Sequence, residues 1–190
     1  MNIQSRNNEN LQRLQKLVDS AKVVDTPPNW EKLTFAVGGL SEVGFSKFYP
    51  ELLLIVSSQG RGIIDCAKFE LIERDNNTDW NWIDSYNLWA MGIGKLSEEK
   101  IIVSGLHGGG LPFSNNEGDC IQFMATNWPI IDLIFEPNDK SIFNVEEAGE
   151  CYRIFNDYEL RAYGFSYNGQ YFVIATNSEI NIYRKNKNGA

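Results

Sequence analysis

Three observations predict an all-β fold with a single N-terminal helix. A phrase recurs: Gly44-Phe45-Ser46 stands before the apolar run Leu52-Leu53-Leu54-Ile55-Val56, and Gly164-Phe165-Ser166 before Tyr171-Phe172-Val173-Ile174-Ala175. Repeated turn-plus-strand phrases constrain architecture before any other signal does. The 190 residues include 11 Phe, 8 Tyr and 5 Trp but one His and 3 Met, a composition suited to pleated sheet surfaces rather than helix bundles. From Trp30 onward no helical periodicity is convincing, and short apolar runs alternate with turn-rich segments. A chain of this length hides roughly 70% of its unfolded surface without help from disulfides. The expected organisation is therefore a helix and Pro-rich linker over residues 1–29, one repeat-built all-β domain over 30–185, and a disordered tail over 186–190.

The opening segment is helical by pattern. Leu11, Leu14, Val18 and Ala21 recur at intervals of three and four, and Gln12, Arg13, Gln15 and Lys16 fill the opposite face. This predicts a helix over residues 8–23, capped by Asn7 or Asn8 and stopped before Thr26-Pro27-Pro28, where consecutive prolines remove donors and force an extended path. One helix of this length is not stable alone, so Leu11, Leu14 and Val18 must be covered by the sheets, by a second copy of the chain or by a partner.

In both copies of the phrase a polar turn, Lys47 to Glu51 or Tyr167 to Gln170, leads into the strand, and a second strand comes next at Gly62-Ile63-Ile64-Asp65 or Ile180-Asn181-Ile182-Tyr183. Two weaker copies are read between them: Ile93 to Lys100 before Ile101-Ile102-Val103, and Phe135 to Lys140 before Ser141 to Val145, with Cys151 to Phe155 as second strand. The anchors Phe45, Ile93, Phe135 and Phe165 recur about every 40 residues, the length of a propeller blade. On these residues the chain resembles the WD40 and YVTN-type β-propeller repeats, most closely over Gly164 to Arg184. The resemblance implies about four antiparallel hairpin-based sheets in a small or incomplete propeller, although no Trp-Asp dipeptide closes a blade.

A formal charge of −8 argues against nucleic acid and acidic membranes, because it repels phosphate and offers few cations for counterion release. The longest aliphatic run, Leu52 to Val56, is too short to span a bilayer, and the first residues carry no apolar core of a secretion signal. Cys66, Cys120 and Cys151 are odd in number and widely spaced, which suits three core thiols in a reducing compartment. The expected location is cytoplasmic.

Chemistry is sparsely signalled. His107-Gly108-Gly109-Gly110 resembles the oxyanion-hole string of some esterases, but no Gly-x-Ser-x-Gly elbow and no second His accompany it. Asp75-Asn76-Asn77-Thr78-Asp79 begins like a calcium loop yet has Trp80 where glycine is required and Tyr86 where glutamate is. One His and three scattered Cys give no zinc spacing, so neither metal nor cofactor is expected. Arg61, Asp65, His107, Gly108, Gly109 and Arg161 fall near turns or strand ends, where loop faces gather, and are the candidate binding residues. The aromatic stretch Trp80 to Trp89 reads either as core or as an interface anchor.

The function expected from this reading is a small protein-binding module without catalysis. Its partner is another protein, such as a basic one that an acidic surface would cover, with homo-oligomerisation through the N-terminal helix as a further route. The alternative is an enzyme or small-ligand binder with its site at His107 and the Gly108 to Gly110 loop.

Overall fold

The structure, a computed structural model, describes residues 3–186, and side chains from Asn7 onward. Most of the expected tail therefore lies outside the described residues. In chain order the helix and strands are α1 (Ile3–Ser20), β1 (Lys22–Val23), β2 (Trp30–Ala36), β3 (Leu40–Phe45), β4 (Leu52–Ser57), β5 (Gly60–Asp65), β6 (Glu70–Asp75), β7 (Ile83–Asp84), β8 (Trp89–Met91), β9 (Lys100–Ile102), β10 (Ser104–Gly105), β11 (Cys120–Asn127), β12 (Ile130–Glu136), β13 (Tyr152–Asp157), β14 (Ala162–Phe165), β15 (Tyr171–Ala175) and β16 (Glu179–Lys185). The strands make four sheets, antiparallel throughout except where β1 runs parallel to β13. The fold is all-β with one N-terminal helix, and the chain divides into two compact units, residues 1–28 with 116–158 and residues 29–115 with 159–190.

The second unit holds three sheets, ordered β10-β3-β4-β5-β6, β14-β15-β16-β2 and β7-β8-β9. Strand β4 explains their packing. Its continuous apolar run is that of a strand buried on both faces: Leu53 and Ile55 join a core with Val173, Ala175, Ile180 and Ile182, while Leu52, Leu54 and Val56 join another with Trp82, Ala90, Leu96 and Ile101. Alternation along one strand thus fixes a sheet on either side of it. An aromatic stack, with Phe172 and Tyr183 at 4.1 Å and Trp30 edge-on to Phe172 at 4.7 Å, backs the β14-β15-β16-β2 sheet. Strand β2 from the start of the unit completes that sheet by pairing with β16 over its whole length.

The first unit is the sheet β1-β13-β12-β11 covered by α1. Leu17, Val18 and Ala21 pack on Met124, Ile134, Ile142 and Cys151, with Leu14 beside them. The helical stripe therefore lies on the chain's own sheet, with two corrections. Leu11 is 46% exposed, because the sheet reaches only the last two turns of the helix. The helix also starts at Ile3, leaving Asn7 and Asn8 inside it, and stops at Ser20, whose hydroxyl donates to the Leu17 carbonyl at 2.6 Å. Lys22 and Val23 then leave the helix to pair with Tyr152 and Arg153.

The two weak middle copies do not take the expected form. Ile101 and Ile102 end the β7-β8-β9 sheet with no hairpin beyond them, since the next strand, β10, pairs with β3 instead. Residues 141–145 form no strand, and the strand after β12 that pairs with it is β13, so Phe135 sits within a strand rather than before one.

Replacing a core side chain of the helix must cost the transfer and cavity terms together. Leu17→Ala should lower unfolding free energy by about 2–4 kcal/mol in urea titration, whereas Leu11→Ala should stay within about 0.5 kcal/mol. Equal effects at the two positions would contradict the burial described.

Candidate functional site

The Gly-Phe-Ser segments occupy matching places. Phe45 and Phe165 are the last residues of β3 and β14 and pair with the second residue of the next strand, Leu53 and Phe172. Each part of the phrase has a separate physical task. At Gly44 a Cβ would stand 2.3 Å from the Ile102 carbonyl oxygen, and at Gly164 one would stand 2.7 Å from that of Pro112; glycine lets a neighbouring backbone cross against the strand. Both phenylalanines are fully buried. The serines staple the turns that come after them: Ser46 N–H donates to the Leu52 carbonyl (3.0 Å) and Ser166 N–H to that of Tyr171 (2.9 Å).

The first turn is held from within and from outside. Ser46 Oγ accepts from the Phe48 and Tyr49 N–H groups at 3.2 and 2.9 Å and donates to Glu99 Oε2 at 2.6 Å. Glu99 Oε1 accepts from Lys47 N–H at 2.8 Å, so this buried carboxylate is engaged through both oxygens. In the second turn Asn168 takes the role of Glu99, its Oδ1 accepting from Ser166 Oγ at 2.7 Å and from Gln170 N–H at 3.1 Å.

The two turns meet. Lys47 Nζ lies over the Tyr167 ring at 5.7 Å, and Lys95 Nζ over that of Tyr49 at 3.6 Å. Burial first, and then the Glu99 charge, pushes the Tyr167 hydroxyl pKa up. Phe48 stands 76% exposed at this face. A groove of about 470 Å³ is lined by Glu51, Asp65, Lys68, Tyr171 and the same Lys95. The sequence reading named none of Lys47, Phe48, Tyr167 or Glu99 as site residues; the available signal was that both copies of the phrase carry an aromatic residue within two positions of the serine.

The residues singled out from sequence are dispersed over the second unit. Arg61 and Asp65 stand at opposite ends of β5, about 13 Å apart at the rise of a strand. Arg61 binds Asp75 Oδ2 through Nε and Nη2, both at 3.0 Å, donates to the Met91 carbonyl, and lies 4.6 Å over the Trp82 ring. Asp65 closes the next turn, accepting from the Ala67 and Lys68 N–H groups at 3.0 and 3.1 Å and pairing with Lys68 Nζ. Arg161 precedes β14, its N–H donating to the Ala175 carbonyl, its Nε buried without a hydrogen-bond partner. In the aromatic stretch Trp82 is core, Trp80 stacks on it at 5.3 Å, and Tyr86 is 94% exposed.

His107 sits in the tight turn between Gly105 and Gly108, which bridge one another. Gly108 and Gly109 adopt φ of +107° and +86°, which favours glycine. The carboxylate of Glu42, 1% exposed on β3, accepts through Oε1 from His107 N–H (3.1 Å) and from ring Nδ1–H (2.7 Å). That contact orients the ring and leaves Nε2 uncommitted. Glu42 Oε2 is buried with no hydrogen-bond partner. The first carboxylate of the calcium-like loop is already occupied: Asp75 accepts from Asn77 N–H and from Arg61, and the same two bonds pull its pKa down. Among the described residues no group of three His, Cys, Asp or Glu side chains is placed to hold a metal ion.

The three cysteines are free, and burial pushes each thiol upward, Cys120 to about 12 and Cys151 to about 11. Glu136, buried on β12, accepts from Ile142 N–H at 2.7 Å and raises both of these thiols further. Its own pKa is raised, burial being the largest cause.

Searched against protein-family models, curated proteins and solved structures, the chain matches none of them. Among the described residues no helix is long and apolar enough to cross a membrane.

The Glu136 shift has a definite sign. An acid whose folded pKa lies above its ordinary 4.5 costs stability as pH rises through the window between the two values, because the unfolded chain releases the proton first. Glu136→Gln should therefore be more stable than the parent at neutral pH, with the gain shrinking as pH falls toward and below 4.5. Thermal melts over a pH series measure it, and a variant no more stable at neutral pH would contradict the burial cost.

Proposed function

We propose that this chain is a protein-binding module without catalysis of its own, and that its recognition surface is the face where the two Gly-Phe-Ser turns meet. The observation that carries the reading is Phe48, a large apolar ring 76% exposed on a turn whose N–H groups are tied to Ser46 and Glu99. A turn whose backbone is already fixed loses little conformational entropy when a partner covers it, and aromatic anchors dominate interface energies. The fitting partner is a protein with an apolar socket for Phe48 rimmed by carboxylates for Lys47 and Lys95. The net charge of −8 disfavours nucleic acid as that partner. Three free thiols with raised pKa values support a cytoplasmic setting. The propeller-like reading belongs to the same proposal, and its support is the completion of the β14-β15-β16 sheet by β2 from the start of the unit.

The alternative, a small-ligand or catalytic site, is favoured by the His107–Glu42 pair, which presents a free Nε2 beside a glycine loop.

Affinity capture from source cells with the parent, Phe48→Ala and Tyr86→Ala separates these readings. A protein should be retained by the parent and by Tyr86→Ala, and its affinity reduced at least about tenfold by Phe48→Ala, a loss of about 1.4 kcal/mol or more. Retention by Phe48→Ala, or equal loss in both variants, would contradict the proposed face. Turnover of an ester, phosphate or glycoside by the parent that His107→Ala loses would overturn the module reading.

A further inference from the structure

A cavity of about 190 Å³ opens in the second unit between β2 and the β4-β5-β6 part of the five-stranded sheet. Its apolar lining is Phe35 and Val37 on one side and Ile55, Ile64 and Leu71 on the other, and Ser57, Gln59, Arg61 and Arg74 add polar lining. The sequence makes room for it in two ways.

Gly62 lies in the wall, and a Cβ there would already stand 3.1 Å from Leu71 Cδ1 and 3.4 Å from Ile55 Cγ1. Any larger side chain would enter the space. The second device is a bulge in β6. Ile64 pairs with Leu71 and Ile63 with Glu73, so Ile72 is an extra residue. A bulge re-aims the side chains beyond it: Arg74, opposite Gly62, comes onto the same face as Leu71, opposite Ile64, although the two are an odd three positions apart. An apolar wall residue and a cation thus line one cavity.

Among the described residues no acid pairs with Arg74. Its Nε donates to Asn76 Oδ1 at 2.9 Å and its Nη2 to Gln59 Oε1 at 3.1 Å, both neutral acceptors. Among the described residues it forms no salt bridge, while Arg61, the other guanidinium lining the cavity, is committed to Asp75. In a chain of net charge −8, a cation held by two amides beside the apolar side of a cavity is complementary to an anion with an apolar body. Mostly apolar walls with a few placed polar groups are the usual make-up of a ligand site.

We propose that this cavity binds a small amphipathic carboxylic acid, aromatic or branched, of roughly six to ten non-hydrogen atoms, with its carboxylate on Arg74 and its apolar body among Phe35, Val37, Ile55, Ile64 and Leu71. The site is separate from the Phe48 face and stands or falls independently of it. A guanidinium donates charge-assisted hydrogen bonds to a carboxylate, and Arg74 keeps Nη1 uncommitted for such a bond.

The test is an amide-resolved NMR titration of the full chain with benzoate, 3-methylbutanoate and the neutral isostere benzamide. The expected result is saturable shifts from both acids concentrated at residues 60–62 and 71–74. Benzamide should bind at least about tenfold more weakly, and Arg74→Gln should weaken benzoate by a similar factor, about 1.4 kcal/mol. Gly62→Val should remove binding by filling the space; should that variant fail to fold, Arg74→Gln, a change at an exposed side chain, still decides. Absence of localised shifts at about 10 mM acid, where a site with a Kd near 1 mM is nine-tenths filled, would overturn the proposal. So would benzamide binding as well as benzoate, or Arg74→Gln binding as well as the parent.

Discussion

The close passage of one backbone against another at Gly44 and Gly164 is the constraint on which the second unit depends. With the neighbouring carbonyl oxygen 2.3 or 2.7 Å from where a Cβ would stand, these positions accept no side chain without moving a strand. The crossing places Phe45 and Phe165 at strand ends, fully buried, and delivers Ser46 and Ser166 to the first position of a turn. From there the Ser46 hydroxyl reaches the turn's Tyr49 N–H, and the Ser166 hydroxyl reaches the Tyr171 N–H that opens β15. Packing, turn geometry and the exposed face are therefore consequences of one short phrase.

The two turns solve the same problem with different chemistry. The second supplies its own acceptor, Asn168, within two residues of the serine. The first has Phe48 at the comparable place and imports a carboxylate, Glu99, from a segment about fifty residues away. Replacing a local polar residue by a distant one frees the local position to carry an apolar ring outward. That substitution links the fold to the proposed recognition face.

Legibility in the sequence tracks how local each signal is. The Gly-Phe-Ser strands, the run Leu52 to Val56 and the helical stripe at Leu14 and Val18 are written in contiguous residues, and their pairings agree with the reading. The middle segments failed because their strands are set by partners rather than by pattern: Ser141 to Val145 has strand composition but forms no strand, and Ser104-Gly105 pairs with β3, some sixty residues earlier. Arg61 and Asp65 were visible as charged strand ends, yet their roles, an ion pair with Asp75 and a turn closure, emerge only from register. Glu42, the partner of His107, and the bulge that carries Arg74 beside Leu71 gave no sequence signal, since both depend on which strand lies opposite.

The Ser46 turn is held by its own hydrogen bonds in advance of any partner. Amide hydrogen exchange of Phe48 and Tyr49 measures it most directly. Bonded to Ser46 Oγ, these N–H groups should exchange far more slowly than those of an unstructured peptide, and Ser46→Ala should release them while leaving the β4 and β5 amides protected. Exchange of Phe48 and Tyr49 at the unstructured rate in the parent protein would contradict the account.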